Sequence, residues 1–153
     1  MPAEPGGPSP QDPYDLQRFV EAQEPVFARV LAELRAGCKQ SHWMWFIFPQ
    51  IAGLGRSATA RYYAIRSREE AVAFLAHPLL GSRLAQCAGE VEAVKGRSAR
   101  DIFGSVDALK LHSSMTLFAS VTDKPIFNRI ISKYFGGRPD PATLALLAQP
   151  GGE

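Results

Sequence analysis

A chain of 153 residues, 46% hydrophobic and with nine Phe, holds enough apolar material for one packed core, the commonest domain size being roughly 100–150 residues. Its 17 basic and 15 acidic residues nearly balance, and no Lys/Arg run tracks a phosphate backbone, so nucleic-acid binding is unsupported. No apolar stretch approaches the roughly 20 residues that cross a bilayer, residues 1–10 lack the basic-then-apolar order of a signal peptide, and Cys38 and Cys87 show neither metal-ligand nor framework spacing. The expectation is a cytoplasmic protein without membrane contact, bound metal or cofactor, with both thiols reduced.

Residues 1–11, rich in Pro, Gly and Ser, read as a disordered lead, and 149–153 as a flexible tail, leaving one domain over 12–148. Asp12-Pro13 is a cap-plus-Pro signal for a first helix facing inward through Leu16, Phe19 and Val20. A second starts near Glu24-Pro25; Val26, Phe27, Val30, Leu31 and Leu34 follow amphipathic spacing, and Gly37 stops it. Ser57 caps a short helix through Tyr63, and Ser67 with Glu70 makes a capping box for one ending near His77. Leu80, Leu84, Cys87, Val91 and Val94 mark a long helix closed by Gly96. Ser98 and Ser105 are caps for two further segments. Asp123, ahead of Pro125, opens a helix carrying Ile126, Phe127, Ile130, Ile131 and Phe135 to Gly136-Gly137, and Asp140-Pro141 opens the last. No segment alternates as a strand does, although Phe46-Ile47-Phe48 reads equally as a short strand or a helix end. The predicted class is all-α.

The least ordinary stretch runs from Lys39 to Gln50 and holds both tryptophans, Trp43 and Trp45, beside Lys39, Ser41 and His42. Spaced two apart, the indoles point in different directions, so at most one faces a ligand. His42 reads as a histidine bonded to backbone beside packed indoles, or as a group poised for proton transfer. Gly53-Leu54-Gly55-Arg56-Ser57 before a helix is either an anion nest or an ordinary turn.

A second anomaly lies on the helix over 105–121. Projected at about 100° per residue, Val106, Leu117 and Val121 cluster in one apolar sector and Leu111, Met115 and Phe118 in the next, with Asp107, Lys110 and Ser114 between them. A carboxylate, a cation and a hydroxyl thus fall inside the apolar wall, the charges three apart and within reach of each other. The trio is either a structural polar network or the border of a cavity that admits a ligand. Ser113 lies beside Leu109; His112 projects to the opposite side with Thr116 and Ser120, and reads as surface.

Lys39-x-Ser41-His42-Trp43-Met44-Trp45-Phe46-x-Phe48-Pro49-Gln50, with Gly53-Leu54-Gly55-x-Ser57, resembles the signature of the bacterial domain of unknown function 1810 family. Tyr63-Ala64-Ile65, His77-Pro78-x-Leu80-Gly81-x-Arg83-Leu84 and Phe103-Gly104-x-x-Asp107-x-x-Lys110-Leu111-x-Ser113-Ser114-Met115-Thr116-Leu117-Phe118 resemble it too. The resemblance covers about residues 13–147. It implies stacked helix pairs in a rotated armadillo-like arrangement, and it brings no catalytic residues with it. Some members carry a calpastatin-like label, but nothing here reads as a disordered inhibitor repeat.

Two functions fit these residues. The first is a pocket for a small anionic or nucleotide-like ligand, where the Lys39–Gln50 segment meets the helix. Lys39 and Lys110 hold the anion, Asp107 is a general base or orienting carboxylate, His42 exchanges a proton, and Trp43 or Trp45 stacks on a base. Ser41, Gln50, Ser113 and Ser114 complete the polar lining. Helical hydrolases of ADP-ribose N-glycosidic bonds, which combine acidic and aromatic residues in a pocket, are the nearest analogy. The second is a non-catalytic helical interaction module that presents a groove to a protein partner.

Overall fold

The structure, a computed structural model, describes residues 8–149. Among these it contains ten α-helices and no strand: α1 (Gln17–Gln23), α2 (Phe27–Arg35), α3 (Met44–Ile47), α4 (Ala58–Tyr63), α5 (Arg68–Ala76), α6 (Pro78–Ala93), α7 (Ala99–Phe103), α8 (Ser105–Ala119), α9 (Ile126–Phe135) and α10 (Pro141–Ala148). The all-α expectation holds. Most of the expected lead lies outside the described residues, as does all of the expected tail beyond Gln149.

Local chemistry sets most helix ends. Ser57 accepts from the Ala60 amide and starts α4, and Asp140 accepts from Thr143 to start α10, with Pro141 at the first helical position. Ser98 and Asp101 form the reciprocal capping box of α7. At α5 only half of the expected box forms. Ser67 accepts from the Glu70 amide, but the Glu70 carboxylate takes the Arg66 amide and the Arg18 guanidinium instead. His77 caps α6 through Nδ1, which accepts from Leu79 and Leu80. Gly136, left-handed at φ +65°, ends α9.

Several expected starts moved. The first helix begins at Gln17, a turn beyond Asp12-Pro13, yet the Asp12 carboxylate still receives the amides of Leu16 and Gln17. Ser105 does not cap α8, which opens on Gly104 without a side-chain cap, and Asp123 does not cap α9. Phe46-Ile47-Phe48 is a helix end; the extended pairing comes just after it, where Ile51 forms an isolated parallel bridge with Ile65.

One core runs through the helices. α8 lies at its centre, packed against α5, α7, α9 and α10, while α6 packs against α2, α5 and α9. Leu111, Met115, Leu117 and Phe118 are fully buried along α8. A chain of aromatic contacts joins Phe19 to Phe74, Phe118 and Phe127, each pair of such rings adding to the area it removes from water. The projection misplaced two residues. Val106 is 65% exposed rather than part of the wall, although Ala108, two residues on, is buried. Thr116 is buried rather than superficial, because the approach to α10 covers that face: its hydroxyl receives the Asp140 amide. His112 is half-buried there, stacked on Phe135 at 4.2 Å between centroids and bonded to the Arg138 carbonyl.

Both cysteines are free. Cys87 is packed in the core, and burial, reinforced by nearby Glu90, pushes its thiol up to about 12. No helix among the described residues is long and apolar enough to cross a membrane.

Candidate functional site

The loop from α2 to α3 is built around one carboxylate. Glu33 sits on the inner face of α2, and its Oε1 accepts from the amides of Gln40 (2.9 Å) and Ser41 (3.1 Å) and from the Trp43 indole N–H (2.8 Å). Its Oε2 accepts from the Ser41 hydroxyl at 2.6 Å. Burial alone raises the carboxyl, but these four donors outweigh it and bring Glu33 down to about 2. The Lys39 amide then donates to the Ile102 carbonyl at 2.7 Å, tying the loop to α7.

So held, Lys39 reaches α8. Its side chain is 7% exposed and its Nζ lies 2.8 Å from Asp107 Oδ2, with the Trp43 ring centroid 5.1 Å away. Three residues along α8, Lys110 places Nζ 3.3 Å from Asp107 Oδ1 and 5.0 Å from the Trp45 ring centroid. Asp107 and Lys110 are each about a fifth exposed. Among the described residues two ammonium groups therefore share one carboxylate, an excess of one positive charge. Each ammonium has three donors and engages the carboxylate through one contact, so both have hydrogens left to give. Val106 and Leu109 flank this centre, 65% and 66% exposed.

Of the residues singled out in the sequence, Lys39, Asp107 and Lys110 meet directly, and Trp45, half-buried, adjoins them through Lys110. Trp43 is a core residue, 1% exposed and packed against Phe48 and Phe103. Ser41 is committed to Glu33 through both its amide and its hydroxyl. His42 is exposed, and no hydrogen bond or ion pair among the described residues joins it to the Asp107 group. Gln50 serves through its carbonyl, which receives the Ile65 amide at 2.8 Å.

Ser113 faces α10, its hydroxyl 3.0 Å from Asp140 Oδ2 and 3.1 Å from the Leu109 carbonyl. Ser114, one turn past Lys110, is fully buried, and its hydroxyl has no partner among the described residues. The glycines before α4 make an ordinary turn. Gly53, at φ +109°, lies against the Leu146 side chain, and a Cβ on Gly55 would fall 2.5 Å from that of Ala60.

Glu33 is the residue that sequence reasoning missed. Only a partial signal was present: at about 100° per residue Glu33 falls at the rim of the apolar arc of α2, beside Val26, rather than inside it as Asp107 does on α8.

The family described as protein of unknown function (DUF1810) matches residues 13–147. Among solved structures, the conserved hypothetical protein Rv1873 from Mycobacterium tuberculosis is similar, with a TM-score of 0.89 and 57% identity over 90% of this chain and 99% of that one. No curated relative matches. The match spans almost the whole described fold, and the chain belongs to the DUF1810 family.

Proposed function

We propose that the chain binds an anionic ligand at the centre formed by Lys39, Asp107 and Lys110. The observation that carries this reading is the charge count: two lysines converge on a single carboxylate in a partly desolvated position. One ion pair would serve the fold. The second ammonium leaves a net cation with donors to spare, where attraction for an anion is screened less than on open surface.

Asp107 acts here as an orienting carboxylate. Both of its oxygens already face an ammonium, which disfavours proton abstraction. Stacking a base, as the ADP-ribose reading asks of Trp43 or Trp45, needs an open aromatic face. Trp43 is in the core and Lys110 stands over the Trp45 ring, so binding is favoured over catalysis, and a phosphate or carboxylate group over a stacked base.

Isothermal titration calorimetry with ADP-ribose, ATP and inorganic phosphate tests the reading, on wild type and Lys110→Ala. Binding to the wild type that weakens by roughly tenfold or more in the folded variant is the expected result, a charge-assisted hydrogen bond being worth about 1.5–3 kcal/mol. It should also weaken with added salt. Absence of binding by all three would leave the lysines as architecture.

A further inference from the structure

We propose that the anion recognised at this centre is a carboxylate on a protein partner, carried by an acidic segment with aliphatic side chains that docks on the first two turns of α8. The proposal rests on the anion-binding reading above and adds the partner. Its observation is the pair Val106 and Leu109, 65% and 66% exposed. Farther along, α8 buries Leu111, Met115, Leu117 and Phe118 completely, so the exposed apolar residues are confined to the end that carries the lysines.

Their spacing makes them one surface. Val106 and Leu109 are three apart, and Val106 and Lys110 four apart, so their Cβ atoms stand roughly 5–6 Å from one another around the helix. Leu109, Val106, Lys110 and Asp107 then follow in order across one face, aliphatic at one side and cationic at the other, with Lys39 against Asp107 and Trp45 beneath Lys110.

A free inorganic anion would touch the lysines and leave both aliphatic side chains in water. A carboxylate flanked by Leu, Ile or Val side chains would satisfy both halves of the surface. The face is also open: Gly104, Ser105, Val106 and Leu109 are all exposed. The cavity near Ile51 and Leu146, that near Tyr14 and His77, and that near Pro125 and Lys133 all lie on other elements. An open, charged and apolar helix face suits a chain segment laid across it better than an enclosed small molecule.

The test is selection of short random peptides displayed on phage against the full chain. The recovered peptides are then measured by fluorescence anisotropy on wild type, Leu109→Ser, Val106→Ser and Lys110→Ala. Peptides with Asp or Glu next to Leu, Ile or Val are expected, losing roughly tenfold in affinity on Leu109→Ser and a similar factor on Lys110→Ala. Both serine variants replace exposed side chains, so their melting curves should match the wild type.

Recovery of no peptide, of peptides without that pattern, or of peptides indifferent to Leu109→Ser would overturn the proposal. So would a wild-type dimer, seen by sedimentation velocity, that Leu109→Ser dissociates, since a second copy would then cover the face. If the small anions still bind in a Lys110-dependent way while no peptide does, only the partner falls. If neither binds, both readings fall together.

Discussion

Two charged clusters tie this fold together, and they differ in how completely their donors are used. At the Arg18 guanidinium no donor is left over. Its Nε donates to the Tyr62 carbonyl, Nη1 to the carbonyls of Tyr14 and Asp15, and Nη2 to the Ala64 carbonyl and to Glu70 Oε2. All five donors of the guanidinium are engaged, and the Arg18 and Glu70 side chains are 2% and 3% exposed. The other oxygen of Glu70 receives the Arg66 amide. Around Asp107 the same kind of attraction is under-used among the described residues, with two ammonium groups on one carboxylate and the Asp107 and Lys110 side chains about a fifth exposed. A saturated cluster joins elements, here α1, α4 and α5. An unsaturated, partly open one still has capacity for something else.

The largest expected effect is at Arg18. Arg18→Ala leaves Glu70 buried without its partner and frees four carbonyls, a loss of about 3–5 kcal/mol in guanidinium unfolding. Arg18→Lys should recover only part, since an ammonium is a point donor and lacks the planar fork that spans these acceptors. Lys110→Ala should cost less than about 1 kcal/mol in the same measurement, its ion pair being within one helix and partly screened. Equal losses at Arg18 and Lys110 would erase the distinction and make the Asp107 centre architecture too.

Next in size is Glu33, saturated like Arg18 but by neutral donors. Its folded value of about 2 lies below the ordinary 4.5. The carboxylate therefore contributes stability that is fully present above about pH 4.5 and is lost as pH falls toward 2, where the folded state also takes up the proton. The shift corresponds to roughly 3 kcal/mol. Unfolding free energies measured from about pH 6 to about pH 2 should fall more steeply in wild type than in Glu33→Gln. Parallel curves would mean that the loop before α3 does not depend on this charge.

The sequence made the helices legible wherever a local signal fixes an end: Ser57, Ser98, Asp140-Pro141 and Gly136 each act within one turn. It failed at Ser105 and Asp123, where a cap residue is present but unused, and where a side chain's partner is distant in the chain. Glu70 was assigned to its own helix start, but Arg18, 52 residues away in the chain, takes it instead. The Asp107–Lys110 contact was readable because helix geometry alone brings residues three apart together. The sequence places both Lys39 and His42 at this helix; that Lys39 meets Asp107 while His42 does not follows from the loop held by Glu33 and Ile102, an arrangement with no local signature. Val106 reads as core for the same reason: a projection gives the face of a residue but not whether another element covers it.

The smallest expected effect is at Ser114, where two adjacent residues of one type test saturation directly. Ser113 reaches Asp140 and the Leu109 carbonyl, whereas the Ser114 hydroxyl is enclosed without a partner among the described residues. An unpaired buried hydroxyl costs about 1–3 kcal/mol, and a satisfied one contributes about 1 kcal/mol. Ser113→Ala should therefore destabilise by about 1 kcal/mol, while Ser114→Ala is neutral or slightly stabilising, the void left by one oxygen offsetting part of the gain. Both variants are read by the same chemical unfolding, with anion binding as a second measurement. If Ser114→Ala is as costly as Ser113→Ala, the hydroxyl takes part in a bonded network beneath Lys110. The polar stripe of α8 would then be saturated at its buried end, and spare binding capacity would lie only at the exposed end, with the two lysines.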